Sequence, residues 1–193
     1  RLVSLNGILH NISLDNTNNN KGSRIIVFLS CSDSVDLHFK IFSRNGTKTV
    51  PPKKNEPEKK FNDNKRNKPP TANSNETTDE NVTISTAPLI GDNTIAYKLH
   101  GSLTQQLRSF TLAHFSNSNI NNDKNLILFC TDVVSRGLDL PDISTVIEYD
   151  PPFTVEDHLH RVGRTARVGN KGTAILFLFP GLEENYLERI RQF

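Results

Sequence analysis

Five short stretches of nearly unbroken apolar sequence constrain the fold of this chain more than any other feature. They cover residues 24–29, 94–99, 125–129, 145–149 and 173–179 and are rich in Ile, Val, Leu and Phe. A strand covered on one face alternates apolar and polar residues. One buried on both faces does not, so runs of this kind mark a parallel sheet covered on both sides. Helical candidates lie between and after them at 34–42, 104–115, 154–162 and 182–190, and Leu2, Leu5, Leu9 and Ile12 add a stripe at helical spacing near the start. Strand and helix alternate through most of the chain, which predicts an α/β fold: a doubly wound parallel sheet with helices on both faces. At 193 residues one substantial core is affordable, so the expectation is a single domain, 1–193, carrying an insertion.

That insertion is expected at 44–93, where Asn, Lys, Pro, Glu, Ser and Thr dominate, with Pro51-Pro52 and Pro69-Pro70 and little apolar content. Such a segment buries too little surface to offset its ordering entropy and reads as a disordered surface insertion. Its basic residues, Lys53 and Lys54 through Lys59 and Lys60 to Lys65 and Arg66, read first as a solvated tract, with RNA contact or a transport signal as alternatives. Shorter Asn-rich pieces at 16–20 and 117–125 read as loops.

Charge is nearly balanced, 23 Lys and Arg against 21 Asp and Glu, so any nucleic-acid argument rests on where the charges sit. Cys31 and Cys130 each stand beside a strand-like run with no second Cys or His at ligand spacing. They read as buried reduced thiols, with no metal site and no disulfide. No apolar run approaches the roughly 18 residues of a membrane span and the start has no signal-peptide pattern, so a soluble, non-secreted protein without a membrane partner is expected. The chain has no Met and begins inside an apolar helical stripe, which reads as a fragment of a longer protein.

In open parallel sheets ligands bind beyond the carboxyl ends of the strands, and the polar residues of this chain gather after the strand-like runs. Ser30-Cys31-Ser32 follows the first run, His100-Gly101 the second, Thr131-Asp132 the third and Asp150-Pro151-Pro152 the fourth. Helix capping accounts for Ser32 and Thr104 singly, but not for the stretch from Cys130 to Asp139. There, hydroxyl and amide groups at a strand end suit an anion such as an RNA phosphate. Arg136 can pair with a carboxylate or phosphate, Gly137 permits a close turn, and Asp139 can accept a hydrogen bond from a ribose hydroxyl. Asp132 and Asp139 also read as turn or cap aspartates. Gln105 and Arg108 stand three apart, on one face of the next helix, and would line the same rim.

The run His160-Arg161-Val162-Gly163-Arg164-Thr165-Ala166-Arg167 carries the strongest signal. Three arginines at steps of three put permanently charged planar donors on one side of a helix start, suited to a polyphosphate whose charge shifts during reaction. A solvated basic face is the plainer reading, but Gly163 weakens a helix and points to close approach of the backbone to something.

Together these stations resemble the DEAD-box RNA helicases. Ile26-Val27-Phe28 with Ser30 looks like their motif IV, Leu99-His100-Gly101 with Gln105 and Arg108 like motif IVa, Thr131-Asp132 through Asp139 like motif V, and His160 to Arg167 like motif VI. The resemblance covers the chain except the insertion and points to the second, C-terminal RecA-like domain of the helicase core. It implies that Arg164 and Arg167 are arginine fingers, a device worth roughly 10³ to 10⁵ in kcat in phosphoryl transfer. It implies ATP binding and interdomain coupling for Arg136, Gly137, Asp139, His160, Arg161 and Gly163, and RNA contacts for Ser30, Gly101, Gln105, Arg108, Thr131 and Asp132. Backbone contacts of this kind give affinity without base specificity, while ribose 2′-hydroxyl contacts distinguish RNA from DNA. ATP and Mg²⁺ are the implied cofactors, held mainly by an N-terminal RecA-like domain, which is itself an implied partner beside RNA. Tyr149 to Phe153 and Asp157 to His160 look most like the nucleolar subgroup that helps assemble the large ribosomal subunit. That implies pre-ribosomal RNA, ribosome assembly factors as further partners, and a nuclear, nucleolar location.

The sequence contains no G-x-x-x-x-G-K-[ST] loop and no D-E-A-D tetrapeptide, so the chain alone is expected neither to hydrolyse ATP nor to unwind RNA. Val134 is bulkier than the small residue usual in the family, and the insertion between motifs IV and IVa is unusually long. Two other classes stay open: a catalytically inactive RecA-like RNA-binding module, and a DNA translocase of the same superfamily. His160-Arg161 counts against the second, since DEAH and many DNA helicases usually carry Gln at the head of this motif.

Overall fold

The apolar stripe near the start forms helix α1 (Leu2–Asn18), with Leu5 and Leu9 fully buried. The computed structural model describes residues 1–18, 22–51, 81–117, 123–134, 140–167 and 171–192. After α1 come β1 (Arg24–Phe28), α2 (Ser32–Phe42), β2 (Lys48–Thr49), β3 (Ile84–Thr86), β4 (Thr94–Leu99), α3 (Gln105–Ser116), β5 (Asn125–Cys130), a 3₁₀ turn (Asp132–Val134), β6 (Thr145–Glu148), α4 (Val155–Val162), β7 (Thr173–Leu176) and α5 (Glu184–Arg191). The strands form one seven-stranded sheet in the order β2-β3-β4-β5-β1-β6-β7.

From β4 to β7 every pairing is parallel, with β1 central: Ile26 stands opposite Leu128 on one side and Val146 on the other. Successive residues of a strand face opposite sides. Accordingly Ile26 and Phe28 join Leu107 and Phe115 of α3 in one core, and Ile25 and Val27 join Leu5, Leu9, Val35 and Phe39 of α1 and α2 in the other. The expected helices on both faces are present, each a layer over the apolar central strands.

Four expectations need correction. The insertion is narrower than 44–93: Lys48–Thr49 and Ile84–Thr86 pair as antiparallel edge strands, and Val82, Ala87 and Ile90 enter the core. A short apolar run after a long polar tract is diluted in any compositional window, which hid it. The basic tract itself lies outside the described residues. The strand expected at 173–179 is β7, a shorter edge strand whose first two residues are exposed. Asn16 to Asn18 continue α1 and are not loop, and Asn16 Nδ2 donates to Ser23 Oγ at 2.7 Å and Asn125 Oδ1 at 2.8 Å, tying the helix end to the sheet. Likewise Asn125 opens β5, while 118–122 lie outside the described residues. Finally, only Cys130 is buried, and burial pushes its thiol pKa well up; Cys31, the residue before α2, is exposed.

Candidate functional site

Because β1, β4, β5 and β6 are parallel, the residues that follow them emerge at one end of the sheet. Ser30, His100, Gly101, Thr131, Asp132 and Asp150 meet there. The Ser30 amide donates to Asp150 Oδ2 at 3.0 Å, while Arg1 Nη1 donates to Asp150 Oδ1 at 2.8 Å and Arg1 Nη2 to Glu183 Oε2. Gly101 is exposed, and a Cβ placed on it would meet nothing within 4 Å, so this domain's own packing does not demand glycine there.

Thr104 caps α3 by accepting from the Leu107 amide at 3.3 Å, which sets the helix start at the same rim. One turn in, Arg108 Nη2 donates to Gln105 Oε1 at 2.7 Å, and its shielded Nε has no hydrogen-bond partner. The two thus act as a unit, with the guanidinium held by the amide.

Helix α4 starts at Thr154, whose Oγ1 accepts from the Asp157 amide at 3.0 Å and donates to Asp157 Oδ2 at 2.7 Å. Acidic Glu156 and Asp157 occupy its first turn, with His160 and Arg161 in the last, matching the helix dipole. The arginine run therefore sits at a helix end, not at a helix start as the spacing suggested. Gly163 is the C-cap, with φ −63° and its amide bonded to Leu159 O at 2.8 Å. A Cβ there would lie 3.0 Å from Leu159 O. The close approach inferred for Gly163 is thus to its own last helical turn.

The three arginines meet unlike fates. Arg161 is 2 % exposed and forks onto Asp132, with Nε to Oδ1 at 2.6 Å and Nη2 to Oδ2 at 2.8 Å. Its Nη1 donates to Asp150 O at 2.9 Å and reaches Glu148 Oε1 at 3.4 Å, and its guanidinium lies 5.1 Å from the Phe28 ring centre. Burial works against its charge, but hydrogen bonding and attraction to Asp132, then Glu148, outweigh it and raise its pKa. Glu148 is 1 % exposed, with His158 Nδ1 2.6 Å from its Oε2. Burial raises the Glu148 pKa despite the opposing pull of His158 and Arg161. Arg161 and Asp132, expected respectively at an interdomain contact and on RNA, are joined to each other inside this domain.

Arg164 and Arg167 lie off the strand-end rim. Thr165 between them is buried and bridges to Ile143, its Oγ1 donating to Ile143 O at 2.6 Å, and Arg167 Nη1 donates to Leu140 O at 3.3 Å. The segment thus runs along residues 140–144. Partial burial, then the like charge of Arg167, lowers the Arg164 pKa. Ala166 between them has φ +53°, and a Cβ on Gly172 would press into Thr165 Oγ1 and the Ala166 backbone. Gly172 therefore lets Thr165 and Ala166 lie close to the backbone just before β7. His160, one residue ahead of Arg161, is half-buried with Nδ1 lacking a hydrogen-bond partner.

Arg136, Gly137 and Asp139 lie outside the described residues. Sequence reasoning missed Glu148, His158, Arg1 and Glu183. Two of these had a signal: Glu148 is a carboxylate inside an apolar run, which demands a cation, and His158 stands three residues before Arg161 on the same helix face. Arg1 and Glu183 meet across nearly the whole chain and had none.

Comparison with known proteins agrees with this architecture. Residues 71–169 match the model of the helicase conserved C-terminal domain. The chain is 52% identical over 188 residues to the ATP-dependent RNA helicase DBP7 of Candida albicans, covering 97% of this chain and 24% of that protein. It is 45% identical over 206 residues to the protein of the same name from Saccharomyces cerevisiae, covering 100% of this chain and 24% of that one. The chain thus spans about a quarter of the length of the curated relatives it matches. Among solved structures it is similar in fold to the E. coli DEAD-box protein SrmB bound to regulator of ribonuclease activity A, with a TM-score of 0.58 at 22% identity over 100% of this chain and 81% of that one. It is also similar to S. cerevisiae Dbp5 bound to RNA and ADP BeF3, with a TM-score of 0.55 at 22% identity over 89% of this chain and 32% of that one.

Proposed function

We propose, since this chain belongs to the helicase conserved C-terminal domain family, that it is the C-terminal half of the core of an ATP-dependent DEAD-box RNA helicase. The carrying observation is the unlike treatment of its three motif VI arginines. Arg161 is buried among Asp132, Glu148 and Asp150, where it holds α4 to the strand ends. Arg164 and Arg167 follow on a segment pinned by Thr165, close enough for their like charges to oppose each other. An anion between or before them relieves both the repulsion and the lost hydration. In this reading the anion is the γ-phosphate of ATP, which an N-terminal RecA-like domain holds together with most of the Mg²⁺ contacts. Arg161 serves as a positioning residue, while Arg164 and Arg167 stabilise the charge that develops on the transferred phosphoryl group.

The strand-end rim supplies the other half of the reading. Ser30, Gly101, Gln105, Arg108 and Thr131 offer amide, hydroxyl and guanidinium groups suited to a sugar-phosphate backbone, with Arg108 as the fixed charge. Turnover requires the second domain, so the chain by itself is inactive. The substrate is pre-ribosomal RNA and the site of action the nucleolus, a reading supported by the look of residues 149–153 and 157–160. Crosslinking of the intact protein to ribosomal RNA precursors tests it, and a diffuse cytoplasmic distribution of the tagged protein refutes it.

The decisive experiment replaces Arg164 by Ala in the intact protein. RNA-stimulated ATPase should fall by roughly 10³-fold or more while nucleotide binding persists. Unchanged turnover would sink the arginine-finger assignment.

A further inference from the structure

Two carboxylates compete for one buried guanidinium in the last turn of α4. Asp132 takes Nε and Nη2 of Arg161, at 2.6 and 2.8 Å, while Glu148 Oε1 stands 3.4 Å from Nη1. The Asp132 side chain is partly exposed and can draw on water. Glu148 cannot, because only 2 % of its side chain is exposed. A buried carboxylate short of donors pulls in whatever cation is near, and here that cation is already engaged. His158 settles the competition. It lies one turn before Arg161 on α4, and its Nδ1, which carries the proton where it faces a carboxylate, donates to Glu148 Oε2 at 2.6 Å. This donor is itself enclosed. Its side chain is 15 % exposed, the Tyr186 ring of α5 stands edge-on to it at 6.5 Å, and Tyr186 Oη donates to Thr154 O at the head of α4.

The placement of Arg161 reaches the arginine segment through the backbone. Its carbonyl accepts from the Arg164 amide at 3.1 Å, with the C-cap Gly163 between them. A swing of Arg161 from Asp132 toward Glu148 therefore displaces the start of the segment that carries Arg164 and Arg167. We propose that His158 is a positioning residue for ATP hydrolysis: by occupying Glu148 it keeps Arg161 forked on Asp132, and so fixes where Arg164 stands. The inference rests on the arginine-finger half of the proposed function and deepens it by a residue outside the run from His160 to Arg167.

The test measures ATP turnover by the intact protein at saturating RNA, with kcat and KM for ATP determined separately. His158→Leu should lower kcat about tenfold and leave KM for ATP within about twofold, since the arginines act on the transition state. His158→Asn places an amide Nδ2 where the ring has Nδ1, and should keep kcat within about twofold of the unaltered protein. The discriminating variant combines His158→Leu with Glu148→Leu. Removing the carboxylate removes the competitor, so most of the lost kcat should return. A residue that only packs α4 onto the sheet predicts the opposite, a double variant at least as poor as either single one. Should His158→Leu fail to fold, a folded double variant with near-normal turnover supports the proposal, and one that is about tenfold slower overturns it. Arg164→Ala in the same assay separates this inference from the reading it rests on. If it abolishes turnover while His158→Leu keeps a normal kcat, His158→Asn loses as much as Leu, or the double variant recovers nothing, His158 does not position Arg161. If Arg164→Ala leaves turnover unchanged, the arginine-finger reading fails and this inference with it.

Discussion

Arg161 stays charged at 2 % exposure because every face of its guanidinium is answered: Asp132 on the fork, Asp150 O and Glu148 on Nη1, Phe28 beneath. Such a network is costly to break from one side, since the buried partner keeps its charge and loses its cation. Arg161→Leu should therefore destabilise the fold by about 3–5 kcal/mol in urea unfolding. Arg164→Ala should cost clearly less, because Arg164 is only half-buried where Arg161 is almost wholly enclosed. Equal losses for the two variants would contradict the separate roles assigned to them. A second residue-scale effect concerns pH. Burial lowers the pKa of His114, and of His100, below 6.5, so the native state binds fewer protons than the unfolded chain in the window beneath that value. The stability is fully present above pH 6.5 and is lost as the pH falls through the folded values. His114→Gln should flatten part of this acid limb in a series of unfolding midpoints against pH; an unaltered limb would remove His114 as its source.

Elements positioned by local chemistry were legible from sequence, and those positioned by long-range pairing were not. Thr104 and Thr154 cap α3 and α4 as their place before helical runs suggests. By contrast β2 and β3 are too short and too polar to announce themselves, and exist because β4 offers an open edge. The segment after α4 belongs to the same class. Its path along residues 140–144, themselves some twenty residues earlier in the chain, also depends on Gly172, which follows it closely in sequence just before β7. A methyl group there must displace Thr165 and the Ala166 backbone, and with them Arg164 and Arg167. Gly172→Ala should therefore lower RNA-stimulated ATPase of the intact protein at least tenfold while leaving RNA affinity nearly unchanged, since the strand-end rim is elsewhere. Comparable losses in both would show that the substitution disturbs the whole domain.

At the scale of the molecule the strand-end rim and the arginine segment beside residues 140–144 are separate. Under the proposed function, the segment is one half of a nucleotide site and the rim one half of a strand-binding groove. The isolated chain should show no RNA-stimulated phosphate release, and the intact protein should show it; turnover by the chain alone would overturn the split-site reading. Sequence by itself determined the doubly wound sheet, its two covered faces and the gathering of polar groups at one end, because apolar runs and their alternation with helical stretches follow from which residues must leave water. It also singled out the arginine run. Only the tertiary structure decided how that run divides, because the division depends on Asp132, Glu148 and Asp150 arriving from other strands to surround Arg161. Ion pairing and burial act through space between segments far apart in the chain, and no spacing within the run from His160 to Arg167 records which of its arginines will find a carboxylate waiting.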